Sequence, residues 1–369
     1  MYKNLAAACA AACFSVFAFS TSALAQSSGP LKVGFIYVAP LTGAGWVHQH
    51  DEGRKAMLAA LNVPGAAPRV TSTYVENVAE GPDAERVIRD LAQQGHKLIF
   101  TPSFGYMEPT LAVARDFPDV RFESITGYKT APNVATANAR YYEGRYLAGV
   151  AAGRMSASHV AGYVAGFPIP EVLQGINAFT LGMQSVDPKA QVKVIWLQAW
   201  FDPARERDAA MTLMDQGADV MAFHTGSNAV MVAAQERGKM AVAYHSDMRA
   251  VAPQAQIVAV THEWGAYYTR RARALLDGSW TSGAVWGGIR EGMIRVGDFG
   301  PRVGVAVRNE VLARQKDIAE GRLHPFHARQ AVLDNRGKTV IAAGQTLTDA
   351  QILAMDWLVQ GVTAPPLRQ

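Results

Sequence analysis

Leu91–Phe100 reads LAQQGHKLIF, and 122 residues later Leu213–Ala222 reads LMDQGADVMA. Each copy is the end of an amphipathic helix, a glycine stop and a buried strand. The correspondence extends upstream: Tyr74-Val-Glu76 matches Trp196-Leu-Gln198, and Val33-Gly34-Phe35 matches Ala161-Gly162-Tyr163, with Pro40 and Pro168 each six residues after the glycine. Around the first copy, Leu31–Val38 and Val70–Val75 carry strand patterns, and helical spacing runs over His50–Leu61 and Asp83–Gln94. Strand and helix alternate, which implies parallel sheets. The chain therefore reads as α/β, with two lobes of related design. Gln256–Thr261 and Arg290–Gly297 are expected to be strands crossing between the lobes, and a chain that crosses more than once makes a hinge.

Composition agrees with two folded domains. Of 369 residues, 49% are hydrophobic and 18% charged, which excludes disorder as the main state. The net charge is only +4 and no dense Lys/Arg patch occurs, so nucleic acid is not an expected partner. Residues 1–25 form a signal peptide in outline: Lys3, an apolar run from Leu5 to Phe19, and Ala23-Leu24-Ala25 as an A-x-A cleavage site. Both cysteines, Cys9 and Cys13, fall inside it and the apolar run continues past them, whereas a lipidated cysteine follows its apolar run, which argues against a lipoprotein. Cleavage after Ala25 leaves a chain with no cysteine, hence no disulfide and no thiolate, exported to the periplasm and expected to be monomeric.

Ligands of open parallel sheets bind beyond the carboxyl ends of the strands, so the residues just after each strand form a natural candidate set. In the first half these are Gly45, Trp46 and His50, then Glu76, then Ser103 and Phe104; in the second they are Phe167, Trp200, Thr225 and the pair His245 and Asp247. Trp46 and Trp200 come from opposite halves and could sandwich a planar ligand, although either could equally pack in a core. Gly43 and Gly45 would let the backbone approach that ligand closely. Asp247 could accept a hydrogen bond from the ligand or cap a helix.

Several chemistries are missing. No Gly-x-Ser-x-Gly elbow occurs, Gly337-Lys338-Thr339 lacks the upstream glycine of a P-loop, and His48 stands where a dinucleotide fingerprint beginning at Gly43 needs its third glycine. His48-x-His50 and His324-x-x-His327 are the histidine pairs a zinc carrier could use, but zinc needs three or four convergent ligands. No cofactor is expected.

Gly45-Trp46 with His50-Asp-Glu-Gly-Arg54, Glu80–Arg86, Pro102–Met107, Tyr142–Gly149, Pro168–Val172 with Gly175-Ile-Asn177, and Met355–Val362 together resemble the basic membrane protein family. These are substrate-binding proteins of ABC importers, related to purine nucleoside receptors. The resemblance implies a type I periplasmic-binding fold: two Rossmann-like lobes, here 31–137 with about 263–295 and 138–262 with about 296–369, joined by crossover hinge segments. It also implies a permease and a separate ATPase as partners and no catalysis. In its terms Trp46 and Trp200 stack on a purine and Asp247 contacts ribose or base. The lysine that the nucleoside receptors carry after the returning strand is absent from Val260–Gly265, with Glu263 nearby, which favours a free base such as adenine over a nucleoside. The alternatives are another flat heterocycle such as a flavin, a nucleoside-processing enzyme using Asp247 or His245, and a zinc carrier.

Overall fold

A computed structural model describes residues 29–365. The expected leader, both cysteines and the cleavage site lie outside the described residues. The first lobe is built on β1 (Leu31–Ile36), β2 (Val70–Val75), β3 (Leu98–Pro102), β4 (Arg121–Ile125) and β5 (Val134–Ala139), with helices α1 (Trp46–Leu61), α2 (Pro82–Gln93) and α3 (Met107–Asp116) between strands. After α4 (Tyr141–Met155) the pattern repeats with β6 (Val160–Ala165), α5 (Pro170–Gln184), β7 (Gln191–Trp196), α6 (Pro203–Asp215), β8 (Val220–His224), α7 (Ala229–Glu236), β9 (Met240–His245) and β10 (Gln256–His262). The chain then runs through α8 (Gly265–Leu276), β11 (Ala284–Gly287), β12 (Ile294–Gly297) and α9 (Val305–Ala319). A hairpin of β13 (Val332–Leu333) and β14 (Thr339–Ile341) follows, and β15 (Val362–Thr363) ends the described chain.

The first sheet has the order β11-β5-β4-β3-β1-β2 and the second β12-β10-β9-β8-β6-β7-β15. Removing β11, β12 and β15 leaves the same five-strand order in both, the doubly wound arrangement of a Rossmann-like unit. Their registers match too: Val33 pairs with Leu98 in one sheet and Ala161 with Val220 in the other.

The repeated motif has a packing explanation. A β-carbon on Gly34 would lie 3.1 Å from Leu91 Cδ1, and one on Gly162 would lie 2.8 Å from Leu213 Cβ. In both lobes the motif leucine presses its helix onto the lobe's first strand where only glycine leaves room. Both helices start with proline in the first turn and end alike. His96 N–H donates to Leu91 O and Gly95 N–H to Ala92 O; Ala218 N–H donates to Leu213 O and Gly217 N–H to Met214 O. Gly95 (φ 86°) and Gly217 (φ 98°) supply the left-handed residue this Schellman termination requires.

The lobe crossings differ from the sequence expectation. Gln256–His262 and Ile294–Gly297 do not cross; they pair antiparallel inside the second sheet. The links that change lobe are those from β10 into α8, from β11 into β12 and from β5 into α4; α4 packs on α5 so closely that β-carbons on Gly149 and Gly182 would strike Phe179 O and Tyr146 O. Residues 288–293 are a turn and not a strand start because carboxylates hold their amides: Ile289 N–H donates to Glu143 Oε2 and Gly288 N–H to Glu291 Oε2, both at 2.7 Å.

Candidate functional site

The C-terminal strand ends of both sheets converge on one partly open cavity, the place where open parallel sheets hold their ligands. The first lobe contributes Val38–Pro40, Trp46, Ser103, Phe104 and Thr126; the second contributes Ile169, Glu171, Trp200, Phe201, His224, Thr225, Gly226 and His245.

Trp46 opens α1, and its indole Nε1–H donates to Pro102 O at 2.9 Å. Trp200 lies along the second lobe's backbone, where a β-carbon on Gly166 would sit 2.8 Å from its ring, and it packs on Phe167 at 4.8 Å between centroids. The two indoles thus have separate supports and face one space. Ser103 is anchored by its hydroxyl donating to Glu80, which also accepts from Gly105 N–H at 2.9 Å. Thr225 lines the cavity while its hydroxyl donates to the buried Glu206 at 2.8 Å.

Left-handed backbone recurs at matched strand ends. Asn77 (φ 56°) and Gln198 (φ 54°) follow β2 and β7; Thr126 (φ 67°) and His245 (φ 73°) sit at the ends of β4 and β9. Such conformations in residues bearing a β-carbon cluster at functional sites, and the second pair faces the cavity.

Six of the eleven strand-end candidates therefore line the cavity: Trp46, Ser103, Phe104, Trp200, Thr225 and His245. The structure does not bring the other five to its wall. Asp247 is held on the outer side, its carboxylate accepting from Arg249 Nη2 at 2.7 Å and Gln256 Nε2 at 2.8 Å. Glu76 is exposed and accepts from Leu41 N–H, fixing the loop after β1. Phe167 supports Trp200 from behind. His50 is fully buried beneath Trp46, with Nδ1 2.6 Å from the Tyr268 hydroxyl. Gly45 approaches the opposite lobe and not the cavity: its N–H donates to Ser246 Oγ at 2.9 Å, and a β-carbon there would lie 2.1 Å from Gly226 O. The surrounding His50–Arg54 motif is also used for packing, since Asp51 accepts from Arg54 Nε at 2.7 Å and a β-carbon on Gly53 would strike Trp264.

Sequence reasoning did not assign a site role to Glu171, Phe201 or His224. Glu171 sits in the first turn of α5 with Oε1 3.6 Å from His224 Nε2; its Oε2 is buried without a partner among the described residues. Beneath them Arg145 is fully buried, its guanidinium stacked on Tyr244 and donating to Phe223 O. The zinc pairs are not assembled: His50 is taken by Tyr268, His324 Nδ1 accepts from Phe326 N–H, and His327 Nδ1 lies 2.8 Å from Thr346 Oγ1. Among the described residues no group of three or more His, Cys, Asp or Glu could hold a metal ion.

Four buried histidines, His50, His224, His245 and His262, surround Trp46 and the cavity floor. Burial lowers the pKa of each, the His262 imidazole to about 3, and mutual repulsion between the rings adds to the fall for His50, His245 and His262. Below about pH 6.5 the unfolded chain binds protons that these folded rings refuse, so their stabilisation is lost as the pH drops toward 3. Burial raises Glu123, Glu206 and Glu143, the last to about 7, and these carboxyls have the opposite sign down to about pH 4.5. The expected thermal midpoint falls once the pH drops below about 6.5 and falls most steeply below about 4.5, where the carboxyl offset ends and the imidazole loss continues. A midpoint still level at pH 3.5 contradicts neutral buried imidazoles.

Two lobes with matched parallel sheets, linked by three crossings and closed over a cavity at their strand ends, define the type I periplasmic-binding fold. The chain belongs to the Bmp family of PnrA-like ABC transporter substrate-binding proteins, whose profile matches residues 31–322. It is 47% identical over 347 residues to a purine-binding protein of Brucella abortus, covering 94% of this chain and 97% of that one. It is 37% identical over 293 residues, 79% of this chain and 73% of the other, to the Haloferax volcanii protein TsgA13, whose name provisionally makes it a glucose-binding protein of an ABC transporter. A solved solute-binding protein of an Aeropyrum pernix ABC transporter shares the fold with a TM-score of 0.68 at 18% identity, covering 80% of this chain and 93% of that one. Among the described residues no helix is long and apolar enough to cross a membrane.

Proposed function

We propose that this protein captures a purine in the interlobe cleft, as the free base in preference to the nucleoside, and delivers it in the periplasm to an ABC permease. The observation that carries the proposal is the pair of tryptophans, one from each lobe, lining a single cavity. Flat rings between two indoles gain stacking on both faces. Glu171 supplies a carboxylate to accept from a ring or amino N–H, the role that sequence alone gave to Asp247. Preference for the base is supported by the lack of lysine among the lining residues. The Brucella relative's purine binding points the same way.

Thermal unfolding of refolded, ligand-stripped protein with adenine, guanine, hypoxanthine, adenosine, inosine, riboflavin, glucose and zinc tests this. A ligand at 100 times its Kd adds about 2.7 kcal/mol to the folded state. Bases are expected to raise the midpoint and nucleosides to do so less. Silence from every purine with a response to glucose would replace the purine by a sugar.

A further inference from the structure

The polar floor of the cavity contains a hydrogen-bonded chain that leads away from the ligand space into the core. Trp264 Nε1 lies 2.7 Å from His262 Nδ1, and His262 Nε2 lies 3.1 Å from His245 Nδ1. All three residues are buried, and His245 alone among them lines the cavity.

The direction of this chain is fixed by its inner end. An indole can only donate, so His262 Nδ1 must accept, and a neutral His262 then carries its proton on Nε2. That proton points to His245 Nδ1, which must accept in turn. A neutral His245 therefore has its own proton on Nε2, the ring nitrogen with no protein partner among the described residues. Burial keeps both rings neutral, since each has its pKa lowered and the rings disfavour one another's charge. The left-handed backbone of His245, at φ 73°, is the kind of local strain that persists where a side chain must be aimed.

We propose that His245 is a specificity-determining donor: locked by Trp264 through His262, its Nε2–H is presented to a ring-nitrogen acceptor of the heterocycle held between Trp46 and Trp200. Trp264 and His262 are positioning residues that set the tautomer without touching the ligand. This inference rests on the purine proposal for the identity of the acceptor, but the tautomer itself is a property of the empty protein. A ligand offering a C–H or N–H at that place leaves a buried donor unpaired and is rejected.

Two measurements test it. In ligand-free, 15N-histidine-labelled protein, nitrogen shifts are expected to show His245 protonated at Nε2 and bare at Nδ1; the reverse tautomer overturns the proposal whatever the ligand. In titrations of the wild-type protein with adenine and its 1-, 3- and 7-deaza analogues, one analogue is expected to bind about tenfold or more weakly. Trp264→Phe, which keeps a ring but removes the N–H, is expected to reduce that discrimination more than it reduces binding of the deaza compound. Equal binding of adenine and all three analogues overturns the donor role. If Trp264→Phe does not fold, the tautomer and the wild-type analogue series still decide. If no purine binds while His245 is protonated at Nε2, the purine proposal fails and the fixed donor stands.

Discussion

Trp46→Ala and Trp200→Ala are each expected to lower purine affinity by about 5- to 150-fold, the equivalent of the 1–3 kcal/mol typical of one base–aromatic stack. The two losses have different accompaniments. Trp46 donates to Pro102 O and lies 4.2 Å from the buried His50 ring, so its removal also opens a hole beneath the first lobe's surface and lowers the thermal midpoint. Trp200 is supported by Phe167 and by backbone at Gly166, at the edge of its lobe, so its removal costs binding with less loss of stability. Trp46→Phe separates the effects, since it keeps an aromatic face but not the indole donor. Calorimetric titration with adenine or hypoxanthine checks all three, and two alanine variants that bind like the wild type would end the stacking account.

The second large effect is expected at Gly45. Alanine there must adopt φ near 97° and place a β-carbon 2.1 Å from the Gly226 carbonyl of the other lobe. The first penalty is about 1–3 kcal/mol, because φ 97° with ψ −166° is open almost only to glycine. The second exists only when the lobes meet, and a backbone carbonyl cannot move aside as a side-chain tip can. Gly45→Ala therefore removes the binding-competent form, and apparent affinity falls with its population, by about a hundredfold. Gly43→Ala is the control, because nothing lies within 4 Å of a β-carbon there. Small-angle scattering with saturating ligand is expected to show the wild type and Gly43→Ala compacting and Gly45→Ala remaining extended. Wild-type affinity in Gly45→Ala would be incompatible with this contact.

The lobes were legible in the sequence because one physical requirement was written twice. Leu91 over Gly34 and Leu213 over Gly162, each followed by a left-handed glycine, fix helix, stop and strand in a single motif. The tryptophans were legible as aromatic residues just past strand ends in opposite halves. Side-chain direction was not. Asp247, two residues beyond β9, turns outward to Arg249 and Gln256, whereas His245 at the strand's last position turns inward. Glu171 looked like an acidic residue in a helix's first turn, a place that needs no ligand to explain it. His245 was visible as a polar strand end, but its donor role comes from partners 17 and 19 positions later, brought together only by the pairing of β9 with β10. Gly45 was read as room for a ligand when the backbone it admits belongs to the facing lobe.

The contact between Gly45 and the Gly226–Ser246 edge is made of two backbones and one hydroxyl, all of them the protein's own. The outer contour it produces is thus the same for any ring thin enough to let the lobes meet. An importer that reads this contour receives a yes-or-no signal, occupied or empty, with no information about which molecule is inside. Discrimination must then be complete before docking, and any impostor that satisfies the cleft will be passed on in proportion to the time it spends there.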